Sequence, residues 1–498
     1  MVYNDIREVF MRIFKAVRCL LIEIVFRRLR ADGQSHLFTQ PEIELAHRSK
    51  GKRGKMINTG KLAGWAARLV LPGLVLLLAP ELVEAQDAID SGDTAWMLTS
   101  TALVLLMTAG LAFFYGGLVP SKNVLNTMMM SFVAFGVAGV LWAVAGYSIA
   151  FGGDGQYFGD LSMALLSGVG TEANGTIPHI LFMGFQGTFA IITAALISGA
   201  VVGRMKFGAY ITFIALWGLV VYAPVVHWVW SGGWLADRGA LDFAGGTVVH
   251  VNAGAAALAA AIVLKPRQDY GVRAMLPHNV PFVLLGAGLL WFGWFGFNGG
   301  SALAADGLGA TGAVTTMFAP GATVVVWALL DHFTTGKTTA VGLATAIVVG
   351  LVAITPASGF VTPMGAIAIG AIAAIPSYFF IKWRTSSSLD DSLDVFGAHG
   401  IGGAVGAILT GVFAAEAIGG TAGLMEGNPG QVLTQAIAIV GVLAYSFIAT
   451  VVILKVIGAV SGGLRPAADL ELRGMDGIAH GEEGYATGDG AVLILEDE

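Results

Sequence analysis

The chain is a succession of long apolar segments, and these limit its fold more than any other feature of the sequence. Eleven of them follow one another between residues 94 and 458. They lie at about 94–117, 124–151, 177–202, 207–230, 243–264, 280–302, 308–330, 338–355, 363–381, 395–415 and 431–458. Because about 20 consecutive apolar residues are enough to cross a bilayer as a helix, the sequence predicts an all-α polytopic membrane protein with eleven transmembrane helices.

Composition agrees with a tightly packed helical bundle in a lipid bilayer. Charged residues make up 12% of the 498 residues, whereas about 25% is usual in soluble domains. Glycine accounts for 70 residues, and small residues let membrane helices approach closely. Cys19 is the only cysteine, which excludes an intrachain disulfide and a cysteine metal site. We expect no cofactor, no metal, no nucleic-acid partner and no enzymatic activity.

The first 85 residues differ from the rest. Residues 1–55 are an extension with a basic amphipathic stretch and a polar stretch, and residues 56–85 have the basic start, short apolar core and small-residue end of a signal peptide. Two interpretations remain open. Either translation starts at Met56 and the mature chain begins near Gln86, or Met1 is the true start and residues 1–55 form a cytoplasmic or membrane-surface tail.

Basic residues indicate the orientation of the segments. Loops after odd-numbered segments contain Lys122, Arg204, Lys206, Lys265, Arg267, Arg273, Lys337, Lys382, Arg384 and Arg465. Loops after even-numbered segments carry Arg238 alone. Because positively charged loops stay in the cytoplasm, we expect a multi-pass protein of the cell inner membrane, with the mature N-terminus outside. The transmembrane domain then covers residues 86–460, and residues 461–498 form a cytoplasmic tail.

Two histidines lie inside apolar segments. His250 falls in the fifth segment and His399 in the tenth. A division of the eleven segments into five, five and one makes the two halves opposite in orientation, as in inverted-repeat transporters whose substrate site lies near the bilayer midplane. An ionisable residue within a membrane span indicates a functional site. The alternative is that each imidazole is simply bonded to a backbone carbonyl.

Aromatic residues cluster in three of the segments. Phe185 and Phe189 are one helical turn apart in the third segment, and Trp228 and Trp230 end the fourth. The sixth segment contains Trp291, Phe292, Trp294, Phe295 and Phe297. The aromatic belt at a membrane surface is one explanation, and it accounts for Trp228. The other is that some rings face inward and attract a cation. Carboxylates are scarce within the segments, so a carboxylate metal-ion site is not expected.

Several motifs together resemble one family. They are FFYGGLVPSKNVL (113–125), GFQGTFA (184–190), ALDFAGGTVVHVNAG (240–254), GWFGFNGGSA (293–302), TPASGF (355–360) and DVFGAHGIGG (394–403). On these motifs the chain resembles the ammonium transporters of the Amt/Mep/Rh family, on the bacterial Amt side. The resemblance implies eleven helices per subunit, a homotrimer with one pore per subunit, and transport of ammonium or its analogue methylammonium.

The resemblance also implies roles for individual residues. Ammonium would be recruited outside by Trp230 and Ser301, with Phe189 beside them. Phe189 and Phe297 match the stacked rings that close the pore. The twin histidines of the conduction path match His250 and His399, and Asp242 matches a structural acidic residue at the start of the fifth helix. Further pore-lining positions match Phe185, Trp294 and Thr355.

The C-terminal tail carries a further part of the resemblance. LRGMDGIAHGEEGY resembles the family's C-terminal signature, and a cytoplasmic nitrogen-signalling protein of the PII type blocks some members.

Three alternatives remain: an Rh-like electroneutral channel for ammonia or carbon dioxide, an ammonium sensor with incidental transport, and a proton-coupled transporter of another small solute. The Trp230 and Ser301 pair favours the Amt type. The scarcity of carboxylates in the segments disfavours proton coupling to another solute.

Overall fold

A computed structural model describes residues 89–485 of the chain. The predictions for the extension at 1–55 and the signal peptide at 56–85 fall outside these residues. Within the described part the protein is a bundle of α-helices, and its only sheet there is a two-residue antiparallel hairpin of β1 (Ala173–Asn174) and β2 (Ile177–Pro178). The all-α, multi-pass prediction is therefore confirmed.

Eleven apolar helices follow one another in the described chain. They are α1 (Ser91–Leu118), α2 (Ser121–Phe151), α3 (His179–Ala200), α4 (Phe207–Trp230), α5 (Gly246–Leu264), α6 (Val280–Ala302), α7 (Gly307–Thr335), α8 (Ala340–Ile354), α9 (Pro363–Arg384), α10 (Phe396–Phe413) and α11 (Gly430–Val460). A short helix, Glu416–Gly419, precedes α11, and two more, α12 (Ala468–Arg473) and α13 (Met475–His480), follow it. Ten of the eleven are long and apolar enough to cross a membrane.

Helix α8 is the exception. It has 15 residues, about 22 Å at the α-helical rise, and its chain continues as a series of turns from Thr355 to Phe360. Those turns contact the loop that leads into α5, because the N–H of Phe243 donates to the carbonyl oxygen of Pro356 over 3.1 Å. The break in α8 therefore brings irregular backbone into the interior of the bundle, beside the start of α5.

Several helices begin where a short polar side chain can accept their free N–H groups. Asp90 accepts from the second and third residues of α1, and Asp306 does the same for α7. Thr362 caps α9, whose first residue is Pro363. Such caps supply acceptors to N–H groups that have no partner within the helix. Proline suits a first helical position because its backbone angle is already helical.

Small residues set the closest helix contacts. Gly286 of α6 lies against the backbone of Phe114 in α1, and a side chain there would collide with it. Gly370 of α9 meets the backbone of Ala319 in α7 in the same way. Close approach through small residues is the usual packing of membrane helices. Helix α5 is the most buried of the long helices, so the His250 segment runs through the centre of the bundle.

Candidate functional site: a column of rings and imidazoles

The two segment histidines lie side by side in the core. Nδ1 of His250 is 3.2 Å from Nδ1 of His399, and the ring centroids are 5.2 Å apart with an interplanar angle of 22°. Both side chains are buried. Each histidine lies in a π-helical turn that begins its helix, Gly246–Val251 in α5 and Phe396–Ile401 in α10. Such turns are rare and are often found at functional sites.

The contact between the imidazoles limits their protonation. A hydrogen bond between two Nδ1 atoms requires one to donate and the other to accept. When both rings are neutral, one therefore carries its proton on Nδ1 and the other carries it on Nε2. Nε2 of His250 has no hydrogen-bond partner among the described protein atoms. Because buried polar atoms are almost always paired, this nitrogen is the natural contact for a small polar solute.

A ladder of aromatic rings continues the column on one side of the histidines. Phe297 lies parallel to His250 at 5.9 Å between centroids, and Phe189 stacks on Phe297 at 4.2 Å. Trp230 meets Phe189 edge to face at 6.0 Å. Phe185 also meets Phe189 edge to face, with ring centroids 4.9 Å apart. The stacked pair of Phe189 and Phe297 thus separates Trp230 from the histidines.

Trp294 flanks the same column. Its indole lies nearly parallel to His250, with centroids 5.4 Å apart. Its Nε1–H donates to Oγ1 of Thr355 over 2.9 Å, and that hydroxyl donates to the carbonyl oxygen of Leu351 over 2.8 Å. Thr355 therefore holds the indole of Trp294 in place. The indole faces His250, and the Thr355 hydroxyl does not.

A narrow cavity runs past the histidines. Its lining is Met107, Leu111, Phe114, Ile192, Leu196, His250, Leu290, Trp294, Phe297, Val348 and His399. Apart from the two imidazoles and the indole, every one of these side chains is a hydrocarbon or a thioether. An ion that left water for such a cavity without a partner would meet a large desolvation cost. A small neutral solute would not.

Asp242 fixes the start of α5. Its Oδ1 accepts from the N–H groups of Gly245 at 2.8 Å and Gly246 at 2.6 Å, and its Oδ2 accepts from Thr247 at 2.8 Å and Val248 at 2.9 Å. The carboxylate thus occupies the positive end of the helix. Burial raises the pKa of Asp242, and the four amide hydrogen bonds oppose that change.

The two residues expected to recruit a cation lie at the Phe189 end of the column. Trp230 ends α4, and its Nε1–H donates to the backbone carbonyl of Asp242 over 2.8 Å. Ser301 lies one turn beyond Phe297, and its hydroxyl donates to the Phe297 carbonyl over 2.8 Å. Both side chains are partly exposed, so the rings beneath them are reached from this surface.

The expectation that Trp228 belongs to the aromatic belt is wrong. Trp228 is 7% exposed. Its Nε1–H donates to the carbonyl oxygen of Tyr157 over 2.7 Å, and its ring contacts those of Trp234 and Tyr445. The loop between α2 and α3 supplies this acceptor and helps to cover the indole. The sequence pattern alone could not show that cover.

A larger cavity, of about 580 Å³, lies on the opposite side of the histidines. His399 and Phe114 line both this cavity and the narrow one. Its other walls include Tyr270, Arg273 and Asp394. The column therefore changes from aromatic at one end to polar and charged at the other.

A buried ion cluster lies beside that cavity. Asp390 accepts from Nε, at 2.9 Å, and Nη2, at 2.8 Å, of Arg267, and lies 3.5 Å from Nη1 of Arg204. Burial alone would raise the pKa of Asp390, but the two guanidinium groups outweigh it and the pKa is lowered. Because a buried carboxylate is stable only when paired, this cluster ties the loops after α3, α5 and α9 together.

The C-terminal tail is attached to the same end of the bundle. Asp476 of α13 accepts from the N–H groups of Leu125 at 2.9 Å and Asn126 at 2.8 Å in α2. Lys122 donates to the carbonyl oxygen of Leu472 over 2.5 Å. Burial raises the pKa of Asp476, while its amide partners lower it. The tail thus caps the start of α2.

The sequence interpretation missed Asp391. This residue is fully buried, and its Oδ2 accepts from the N–H of Phe396 over 2.7 Å at the start of α10. The signal was present in the chain, because Asp391 precedes His399 by the same eight positions by which Asp242 precedes His250. In residues 89–485, no group of three His, Cys, Asp or Glu side chains is placed to hold a metal ion.

The fold and the column define a multi-pass helical membrane protein with an apolar, histidine-lined cavity at its centre. A model of the Ammonium Transporter Family matches residues 95–485. An ammonium transporter of Aquifex aeolicus is 50% identical over 421 residues, which cover 83% of this chain and 98% of that protein. The ammonium transporter of Bacillus subtilis is 45% identical over 400 residues, covering 79% and 98%. The chain therefore belongs to the ammonium transporter family, as its motifs predict.

Solved structures agree with this assignment. Mep2 of Candida albicans is 35% identical and has a TM-score of 0.73, over 78% of this chain and 89% of that chain. A sensor Amt protein is 30% identical, with a TM-score of 0.72 over 77% of this chain and 96% of that chain. The family thus includes relatives described as transporters and one described as a sensor.

Proposed function

We propose that the protein is an inner-membrane ammonium transporter that recruits the ion outside, removes a proton and passes ammonia through the histidine-lined cavity. The observation that carries the proposal is the continuous column of Trp230, Phe189, Phe297, His250 and His399. Its ring contacts run from a partly exposed indole to a pair of imidazoles 3.2 Å apart.

The two ends of the column suit different forms of the substrate. Trp230 and Ser301 offer a ring face and a hydroxyl oxygen, and both attract a small cation. Below the pair of Phe189 and Phe297 the cavity is apolar, so a bare cation there would be costly. Ammonium can lose a proton and potassium cannot, which gives such a cavity a basis for discrimination. The free Nε2 of His250 can form a hydrogen bond with ammonia.

The histidine pair offers a route for the proton. A proton that arrives at Nε2 of the ring whose Nδ1 donates makes that ring an imidazolium, which passes its Nδ1 proton to the other ring; the second ring then releases its own Nε2 proton, and both imidazoles end neutral with donor and acceptor roles exchanged. Net ammonium transport follows if the proton crosses along this pair while ammonia crosses beside it. Methylammonium is the analogue expected to follow the same route.

The membrane arrangement is part of the proposal. Helix α8 with its following turns supplies an eleventh crossing, so α1–α5 and α6–α10 form inverted halves and α11 stands apart. The N-terminus of the mature chain lies outside, and the cavity beside Arg273 and Asp394 opens to the cytoplasm. The assembly is a homotrimer with one pore per subunit, and the tail is the contact for a PII-type protein.

Proteoliposomes on a solid-supported membrane provide the test. A jump in ammonium concentration should produce a saturable current, and an equal potassium jump should produce none. The variants His250→Ala and His399→Ala, purified as trimers, should lose most of the ammonium current or admit potassium. Wild-type currents and selectivity in both variants would contradict the role of the pair.

The same preparation separates the rival functions. A rise in lumenal pH without current would indicate electroneutral passage of ammonia, as in an Rh-like channel. Neither signal from folded trimers would indicate a sensor, a function supported by the resemblance to the sensor Amt protein.

A further inference from the structure

Helix α11 carries buried polar side chains that the transport column does not use. Gln431 and Gln435 lie one turn apart near its start and are 6% and 1% exposed. A buried primary amide is costly in a membrane helix unless its donors and acceptor are all engaged. The partners of these two amides therefore show what the helix holds in place.

Gln435 hydrogen-bonds to both backbone polar groups of a single residue, Leu241, in the loop between α4 and α5. Its Oε1 accepts from the N–H of Leu241 over 2.8 Å, and its Nε2 donates to the carbonyl oxygen of Leu241 over 2.7 Å. Nε2 also lies 3.2 Å from the carbonyl oxygen of Ala407 in α10. Gln431 supports the same loop, donating to the carbonyl oxygen of Gly239 over 2.9 Å.

Leu241 is followed directly by Asp242. The carbonyl of Asp242 accepts the Trp230 indole N–H, and its carboxylate caps the helix of His250. The loop has no regular secondary structure from Trp234 to Gly245, and Gly239 has a left-handed backbone angle, with φ at 75°. Backbone hydrogen bonds hold the two ends of this loop, at Leu235 and at Phe243. Between them, Gln435 makes two side-chain hydrogen bonds to the single residue Leu241.

We infer that Gln435 is a positioning residue for the outer cation site, acting through Leu241 and Asp242 on the indole of Trp230. The inference rests on the proposed function of that site. By this inference α11, which lies outside the two five-helix halves, holds the loop between α4 and α5 in position. A binding group must be held to within about 0.5 Å to keep its geometry, and Gln435 fixes both polar groups of the peptide next to the acceptor of Trp230.

The test compares Gln435→Met with Thr450→Val in ammonium-evoked currents from proteoliposomes. The methionine keeps the length of the side chain and removes both hydrogen bonds to Leu241. Thr450 lies on the same helix and accepts from Nε1 of Trp217 over 3.1 Å, away from the outer loop, so its substitution also removes one buried hydrogen bond. We expect Gln435→Met to raise the half-saturating ammonium concentration by about fivefold or more, with a smaller change in the maximal current. Thr450→Val should leave the half-saturating concentration within about twofold of wild type.

A double-mutant cycle with Trp230→Phe shows whether Gln435 acts through the indole. The phenylalanine cannot donate to Asp242, so the effect of Gln435→Met on half-saturation should largely disappear in that background. If Gln435→Met does not yield folded trimers, Gln435→Asn decides, since it keeps the amide and retracts it by one methylene. An unchanged half-saturating concentration, or equal effects with and without the Trp230 indole, would overturn the inference. A wild-type protein without current would instead overturn the proposed function.

Discussion

The starts of α5 and α10 are built alike and face opposite ends of the bundle. Each begins with a π-helical turn that contains the histidine. Asp242 and Asp391 lie eight positions before their histidines, and each accepts an N–H at the start of its helix. The same local arrangement, repeated in two segments far apart in the chain, brings His250 and His399 into contact.

The two starts differ in what surrounds the carboxylate. Asp242 accepts from four backbone N–H groups. Asp391 accepts a hydrogen bond from the N–H of Phe396 and is also stabilised by the N–H of Val395, while its Oδ1 has no hydrogen-bond partner among the described atoms. Arg204 and Arg384 are the cations that act on Asp391, but backbone amides alone compensate the charge of Asp242. The Asp242 cap therefore depends on local backbone geometry, and the Asp391 cap depends on a charged network.

Replacement of the Asp242 cap should have the largest effect. In Asp242→Ala four buried N–H groups lose their acceptor, and each unpaired buried group costs about 1–3 kcal/mol. The start of α5 and the Trp230 contact would both shift. We expect the ammonium-evoked current to fall by more than about tenfold, equivalent to about 1.4 kcal/mol in activation free energy. Asp242→Asn keeps one acceptor oxygen and should be intermediate. Wild-type currents from folded Asp242→Ala trimers would contradict the dependence on this cap.

Equivalent glycines provide a second comparison. Gly254 lies four positions after His250, and Gly403 lies four positions after His399. A Cβ on Gly254 would press on the backbone of Gly400, next to His399. Because backbone cannot rotate away, Gly254→Ala should destabilise the protein by about 1–3 kcal/mol, as overpacking does. Thermal unfolding in detergent, followed by tryptophan fluorescence, measures the change. An unaltered Tm would show that the helices can separate at no cost.

The helices and the residues of the column could be predicted because they depend on local features of the sequence. The supporting contacts were missed because they join residues far apart in the chain. Apolar segments and histidines within them are local features, so the positions of α5, α10, His250 and His399 follow from the chain itself. The contact of Gln435 with Leu241 joins residues 194 positions apart, and the burial of Trp228 depends on a loop 71 positions away. Such pairs exist only after the helices have packed.

The repeat illustrates the same limit. The count of segments predicts opposed halves, and the matched spacing of Asp391 and His399 was readable in the chain. The π-helical turns were not readable, because their backbone is held by the capping carboxylates and by neighbouring helices. Gly246, for example, lies against the ring of Pro356 in the turns after α8, which no periodicity in α5 would indicate.

The Asp391 cap should respond less to substitution than the Asp242 cap. Asp391→Ala removes the one acceptor of the Phe396 N–H, so we expect a loss of about 1–3 kcal/mol in stability and a current reduction smaller than that of Asp242→Ala. Asp391→Asn keeps that acceptor and removes the charge. A loss of current equal to that of Asp242→Ala would show that the two caps are equally important.

The charge of Asp391 also predicts a pH dependence. Burial raises the pKa of this carboxyl above 3.8, so the folded state holds the proton more tightly than the unfolded chain does. The stabilisation from the protonated form is complete below the unfolded pKa and is lost as pH rises through the folded pKa. Wild-type protein should therefore lose Tm relative to Asp391→Asn as the pH is raised above about 4, the unfolded-state pKa of an aspartate. A constant difference would mean that the arginines hold Asp391 ionised throughout.

The smallest effect is expected at Gly403, the counterpart of Gly254. A Cβ there would lie 2.9 Å from the carbonyl oxygen of Gly246 and 3.1 Å from Cβ of His250, so α5 and α10 need to part by only a few tenths of an ångström. We expect Gly403→Ala to cost about 1 kcal/mol and to leave most of the current. Because the shift would move His250 relative to His399, potassium exclusion is the sensitive measurement. If Gly403→Ala were as destabilising as Gly254→Ala, the two glycines would have the same packing role, and the difference between the helix starts would lie in the aspartates alone.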